Sequence, residues 1–394
     1  MHISEKVSKI APSATLAIDT KFKTMKAEGI DAVGFGTGEP DFDTPQYIKD
    51  AAIKAINDGL TKYTPASGTM ALRQAVCKKF KDENGIDYAP EQIVVSNGAK
   101  HALVNAFMAI LNPGDEVIIP SPYWVSYPEM VKIADGVPVI IDTKEEDEFK
   151  FTADEFRKAI TEKTRAIVLN SPSNPTGMIY TEDELRAIAD IAVEHNIYVI
   201  SDEIYEHLIY EGKHVSIASF NEKIKDLTII INGVSKTYAM TGWRIGYSAA
   251  NKTLAKAMAS LQSHATSNPN SIAQAATIAA LSGGTEEIDA MRKEFEKRRN
   301  YIVERMNKID GVSCRMPHGA FYVMMNITKL KGKTISGRVI NTASDLSEIL
   351  LEEMHVATVP CESFGTGDFV RWSYATSMEN IKEGLDRLEK FLNR

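Results

Sequence analysis

From about residue 93 the chain alternates short runs of β-branched and aliphatic residues with longer stretches in which apolar positions recur every three or four residues. The runs at 93–96 (IVVS), 116–120 (EVIIP), 137–141, 166–170 (AIVLN), 197–201 (IYVIS) and 227–232 (LTIIIN) predict strands. The stretches at 100–111 and 182–194 predict helices. Thr181 opens the second of these: its hydroxyl can accept from the Glu184 amide while Glu184 reaches back, a capping box. Short strands apolar on both faces, separated by amphipathic helices, imply an α/β protein with a mostly parallel central sheet and helices on both faces. After residue 285 the pattern changes. A long charged helix (286–309) is followed by the strand candidates GAFYVMMNI, HVATVP and FVRWSYA and an amphipathic helix at 378–392, which reads as a smaller α+β domain. The Gly/Pro-rich GFGTGEPDFDTP reads as a loop crossing between domains. The expected organisation is an N-terminal segment 1–45 packing with the small domain, a large domain 46–285, and a small domain 286–394.

Composition narrows the class of function. The 394 residues are 44% hydrophobic and 25% charged, ordinary for a globular chain with a large core. The formal charge of −8 disfavours nucleic acid and anionic membrane as partners. Cys77, Cys314 and Cys361 are odd in number and far apart, so they build neither a disulfide framework nor a zinc site, and they fit a reducing cytoplasm. No stretch of eighteen apolar residues occurs, and the first eighteen residues contain Glu5 and no signal-like apolar run, so the expectation is a soluble, cytoplasmic protein. The eight histidines show no metal-ligand spacing, and His101 and His207 read as helix-surface residues. KEEDEFK at 144–150 reads as a solvated face.

Open α/β sheets bind ligands beyond the carboxyl ends of their strands, so the residues just after each strand carry the information. After AIVLN comes SPSNPTG with Asn174. After IYVIS come Asp202 and, three residues on, Tyr205. After LTIIIN come Ser235 and Lys236, then TYAMTGWRIGY with Arg244. An amide, a carboxylate, a phenol, an amine and a guanidinium thus meet at one sheet edge. A lysine amine can form a Schiff base with an aldehyde cofactor, and a carboxylate beside a pyridine nitrogen keeps that ring protonated and electron-withdrawing. Gly98 and Ala99, in SNGAKH at a predicted helix start, suit a phosphate, because free backbone amides and the helix dipole favour an anion there. Trp124, in SPYWVSYPEM, offers a flat ring a face to lie on.

The stretch NGVSKTYAMTGWRIGY resembles the lysine signature of class I pyridoxal-phosphate-dependent aminotransferases, and SPSNPTG, SDEIY, SPYWVSYPEM and FVRWSYATS are similar to that family's other motifs in the same order. The resemblance runs from PSATLAI to the terminal helix and is nearest the bacterial-type aspartate aminotransferase branch. It implies fold type I, pyridoxal 5'-phosphate as cofactor, and a homodimer with shared active sites. It also implies ping-pong transfer of the amino group between an amino acid, aspartate or glutamate, and 2-oxoglutarate or oxaloacetate. Carried onto this sequence, it has Lys236 hold the cofactor and act as general base, with Asp202 on the ring nitrogen. Tyr205 and Asn174 would bind the ring hydroxyl oxygen and Trp124 would stack on the ring. Gly98, Ala99, Ser235 and Arg244 would grip the phosphate, joined by Tyr63 of the neighbouring subunit. Arg371 would clamp the substrate α-carboxylate with help from Asn174 and the Gly38 backbone. Lys100, Ser13 and Thr15 are associated with a distal carboxylate.

Other readings are weaker or stay open. GFGTGEP mimics half of a dinucleotide fingerprint, but Glu39 and Pro40 stand where a helix should open. No G-x-S-x-G elbow is present. Prephenate, aromatic or alanine donors remain open, and a carbon–sulfur β-lyase on the same scaffold is the mechanistic alternative.

Overall fold

The computed structural model describes residues 3–12 and 14–394. In chain order the strands are β1 Val33–Gly34, β2 Ile93–Ser96, β3 Glu116–Ser121, β4 Val137–Asp142, β5 Thr164–Asn170, β6 Tyr198–Asp202, β7 Thr228–Gly233 and β8 Gly246–Ala249. They continue with β9 Tyr322–Asn326, β10 Lys333–Ile335, β11 Arg338–Ile340, β12 Val356–Ala357, β13 Val359–Pro360 and β14 Phe369–Ser373. Seven of them form one sheet in the order β2-β8-β7-β6-β5-β3-β4. It is parallel from β7 through β4, and antiparallel where β8 sits between β2 and β7.

The predicted apolar runs make this sheet because both of its faces are covered. Alternate side chains of one strand point to opposite faces, and they enter different cores. Ala166 and Val168 of β5 join Leu103 and Phe107 of the helix Ala99–Ile110, whereas Ile167 and Leu169 join Leu185 and Ile188 of the helix Glu182–His195. Thr181 and Glu184 form the expected capping box. Register then decides where the chemistry sits. Asn170 pairs with Asp202, and Gly246 pairs with both Gly233 and Ser96, so the carboxyl ends of β5, β6, β7 and β2 lie along one edge.

The chain ends meet elsewhere. A three-stranded antiparallel sheet, β13-β14-β9, packs with the helices Glu286–Met306, Ala343–Met354 and Met378–Leu392. The parallel pair β1-β12 brings the N-terminal segment into the same core, where Phe35 lies 4.5 Å from the Trp372 ring centroid.

Several sequence expectations change. The helices Gln46–Asn57, Lys252–Ala265 and Ser271–Ser282 did not stand out in the pattern, nor did the short β8 (GYSA), whose pairing is supplied by its neighbours; the polar turn KYTPASGTMALR does lead into a helical period, the helix Met70–Asn84. HVATVP is two strands, broken at Thr358 so that β12 pairs with β1 and β13 with β14. KEEDEFK is not a simple solvated face. Phe149 is buried 5.2 Å from the Phe369 ring, Lys150 pairs with Glu148 and Glu184, and Glu145 accepts from Asn326 at 2.6 Å. His207 lies in a turn rather than on a helix, 3.1 Å from Glu83. Among the described residues, no helix is long and apolar enough to cross a membrane.

Candidate active site

A cavity of about 330 Å³ opens at the sheet edge where those strand ends converge. Lys236 follows β7 by three residues. Its Nζ donates to the Gly38 carbonyl and lies 5.9 Å from the Phe321 ring centroid. Burial pushes its pKa down to about 8, Arg244 and Arg371 push the same way, and Glu39 and Asp202 oppose them. The loop carrying Gly38 is strapped over the lysine turn: Thr44 donates to the Ala239 carbonyl at 2.7 Å, and Thr241 to Glu39 at 2.7 Å.

Asp202 closes β6 and is 4% exposed. Burial raises its pKa to about 6, against the hydrogen bonds it accepts from the Tyr127 hydroxyl at 2.7 Å and the Ile204 amide at 3.3 Å. Tyr205, also buried, shares a 2.9 Å hydrogen bond with the Tyr322 hydroxyl. Trp124 sits edge-on to Tyr127 at 5.3 Å, and the Lys100 ammonium lies 4.9 Å from the Trp124 ring centroid. Partial desolvation, then nearby Arg244, lowers the Lys100 pKa.

Arg371, in β14, reaches the cavity from the smaller sheet and is 2% exposed. It donates to Asn174 Oδ1 at 3.1 Å and to the Gly36 carbonyl at 2.7 Å, and it lies between the Tyr322 and Phe364 rings, 4.5 and 5.0 Å from their centroids. Its Nε is buried without a partner. A guanidinium held this way keeps donor capacity for one more anion, and a carboxylate is the planar group that matches its fork.

Gly98 caps the helix Ala99–Ile110 with φ at +84°, a conformation that suits glycine. A Cβ there would stand 2.3 Å from the Arg244 guanidinium, so the bare backbone is what lets the arginine close over this helix start. Ala99, Ser235 and Arg244 line the same wall. The cradle combines helix-start amides, a hydroxyl and a guanidinium, which fits a phosphate. With an amine, a carboxylate, a phenol and an indole around the remaining space, the residues present suit a phosphorylated aromatic aldehyde.

Of the residues read from sequence, Lys236, Asp202, Tyr205, Asn174, Trp124, Ala99, Ser235, Arg244, Arg371, Gly38, Lys100 and Thr15 line the cavity, and Gly98 lies directly behind Arg244. Tyr63 does not: it is 91% exposed on the surface of the single chain. Ser13 lies outside the described residues. Reading only strand ends missed Tyr127, Asn170 and Tyr322, which also line it. Tyr127 stands three residues after Trp124, one helical turn on, and Asn170 ends AIVLN, so both had a local signal. Tyr322 looked like one more apolar strand residue.

Comparison with known proteins decides the family. Residues 30–388 match the family described as aminotransferase class I and II. The chain belongs to that family. This aminotransferase is 50% identical over 393 residues to an aspartate aminotransferase of Geobacillus stearothermophilus, covering 100% of this chain and 99% of the relative. It is 49% identical to a probable aspartate/prephenate aminotransferase of Rhizobium leguminosarum bv. phaseoli, over 99% and 98% of the two chains. The crystal structure of the aspartate aminotransferase from Rhizobium meliloti superposes on it with a TM-score of 0.96 at 44% identity, covering 100% of this chain and 99% of that one. The aminotransferase thus has the fold type I architecture expected of its sequence.

Proposed function

We propose that this aminotransferase uses pyridoxal 5'-phosphate to move an amino group between aspartate or glutamate and a 2-oxo acid such as 2-oxoglutarate or oxaloacetate. The observation that carries the reading is that Arg371 and Lys100 line one cavity together with Lys236, Asp202 and the phosphate-suited Arg244. Arg371 receives the α-carboxylate common to all amino acids, and Lys100, with Thr15 nearby in the lining, faces a second carboxylate. The chemistry a bound cofactor supplies is an electron sink for the charge left when the substrate Cα loses its proton.

The chain's own groups do the rest. Lys236 would hold the cofactor's aldehyde, and its free Nζ, held near a pKa of about 8 by burial, is neutral in a far larger fraction than an ordinary lysine and can take the Cα proton as general base. An ammonium at the usual lysine pKa could not accept a proton at neutral pH. Asp202, with its pKa near 6, stays ionised at neutral pH and places a fixed negative charge where a ring nitrogen must hold a proton. Asn174 and Tyr205 offer an amide and a phenol to a ring oxygen, and Asn174 also fixes one arm of Arg371. Trp124 supplies the stacking face.

A second acceptor, prephenate, is favoured by one particular: a relative 49% identical over nearly the whole chain bears both aspartate and prephenate in its description. Single-turnover reactions with aspartate, glutamate and the amino product of prephenate, followed by loss of the cofactor absorption band, separate the two. Borohydride reduction and peptide mapping test the core of the proposal. The label is expected on Lys236, and Lys236→Ala is expected to abolish transfer while the chain still binds the cofactor; a label on another lysine sinks the assignment.

The partner assembly is a homodimer with shared sites. Its support is the exposure of Tyr63 in a single chain, alongside the exposed apolar side chains of Ile53, Ile56, Leu60 and Met70. A hybrid dimer of one Lys236→Ala and one Tyr63→Ala subunit puts both defects in one site and leaves the other whole. Such hybrids are expected to regain activity that neither parent shows. Activity no higher than the parents' average means each site is built within one chain.

A further inference from the structure

The turn that follows β6, with sequence DEIYEH, presents two pairs of residues three apart, and the pairs go to opposite sides. Asp202 and Tyr205 line the cavity. Glu203 and Glu206 turn away from it into a cluster of buried polar groups behind the site. Glu203 is 1% exposed and Glu206 9%. Glu203 Oε1 accepts from the Ser201 hydroxyl at 2.8 Å and the Ser216 hydroxyl at 2.7 Å, and its Oε2 lies 3.0 Å from His214 Nε2. Glu206 pairs with the ammonium of Lys79, itself 4% exposed, and accepts from Asn232 at 2.6 Å and Asn84 at 3.0 Å. Strand β7, the helix Met70–Asn84 and the segment 213–216 thus all converge on two carboxylates that touch no part of the cavity.

Stability does not account for such a cluster. Buried ion pairs can often be replaced by apolar side chains of similar volume at no loss, since desolvation offsets the attraction, whereas removing one partner is strongly destabilising. What a fully satisfied buried network does provide is a single geometry. On the cavity side the Tyr127 and Tyr322 hydroxyls meet Asp202 and Tyr205, and within the turn the Glu206 amide donates to the Glu203 carbonyl and the Leu208 amide to that of Tyr205; from behind, Glu203 and Glu206 supply the side-chain anchors.

We propose that Glu203 and Glu206 are positioning residues, which, anchored from behind by Lys79, His214, Ser201, Ser216 and Asn232, hold the turn so that Asp202 and Tyr205 meet the cofactor ring. The proposal rests on the reading of Asp202 as the ring-nitrogen partner. Electrostatics agree with the geometry. Burial works against the charged forms of Glu206 and His214, yet Lys79, His207 and His214 hold the Glu206 carboxyl far below its usual range, and Glu203 and Glu206 raise the His214 pKa.

The test uses the full chain and two readouts other than turnover: the dissociation constant of pyridoxal phosphate from the apoenzyme, and the pH at which the bound cofactor's absorption band changes. Glu203→Gln and Glu206→Gln keep size and lose charge. Each is expected to weaken cofactor binding roughly tenfold, as loss of outer-shell partners does elsewhere, and to shift the pH of the spectral change, with native circular dichroism at the assay temperature. In an Asp202→Asn background the same substitutions are expected to add much less, because their effect passes through Asp202. Equal effects in both backgrounds, or none where Asp202→Asn alone moves both readouts, overturn the proposal. If Asp202→Asn moves neither readout, the reading of the site itself falls, which is a separate outcome. Should a glutamine variant not fold, Ser201→Ala and Ser216→Ala each remove one donor from Glu203 and are read in the same two assays by the same criteria.

Discussion

The two ends of the cavity hold their cations in opposite ways. Arg371 is 2% exposed, fixed by Asn174 and Gly36, and enclosed by two aromatic rings. Lys100 stands exposed in the first turn of its helix, with its ammonium over Trp124. A buried fork held from several sides recognises one group in one orientation, and the group every donor shares is the α-carboxylate. A flexible ammonium at a partly solvated rim instead tolerates several distal groups and prefers the anionic ones. The difference assigns shared recognition to the Arg371 end and selectivity to the Lys100 end.

The strongest way to break that division is Arg371→Lys. It keeps the charge but loses the fork, and leaves Asn174 Oδ1 and the Gly36 carbonyl without their donors. On the order of 2–5 kcal/mol is expected for disrupting a buried hydrogen-bonded charge, so kcat/KM should fall about 30-fold or more for every donor alike. A loss confined to dicarboxylic donors would show that Arg371 reads the side chain instead.

Lys100→Ser sharpens the other half. Losing one charge-assisted contact is expected to lower kcat/KM for aspartate and glutamate roughly tenfold, with neutral donors little affected. Equal loss for all donors would move Lys100 from selectivity to the phosphate wall or to packing on Trp124.

The smallest expected effect lies behind the site, where His214 faces Glu203 and Glu206, with Lys79 opposing. Its pKa is raised in the folded protein, so its protonation stabilises the fold fully below the ordinary value of 6.5, and that gain is lost as pH rises through the raised value. His214→Gln should therefore lower Tm more at pH 6 than at pH 9. A pH-independent Tm difference would mean that His214 contributes packing and no charge.

Much of the site could be read along the chain because the chemistry sits where strands stop. Asp202 and Lys236 were visible from apolar runs ending in polar residues, and Gly98 from a small-residue turn before a helical period. Arg371 was visible only through resemblance, since FVRWSYA by pattern is one more strand. Tyr322 went unread because an aromatic in an apolar strand gives no sign of where its hydroxyl ends, whereas Tyr127 had its spacing from Trp124 as a signal. Nothing along the chain marked Glu203, Glu206 and Lys79, whose burial depends on the helix Met70–Asn84 packing behind the site.

Local order, then, was determined by sequence alone: periodicity sets strand against helix, Thr181 and Glu184 set a helix start, and Gly98 takes up the positive φ before another helix. These depend on contacts within a few residues. The tertiary structure alone decided which distant residues meet. Arg371 reaches Asn174, 197 positions away, because β14 belongs to a sheet built from the chain's end, and Lys236 meets Gly38, 198 positions away, because the N-terminal loop crosses the lysine turn. Such contacts depend on the packing of whole layers, and no spacing along the chain encodes them.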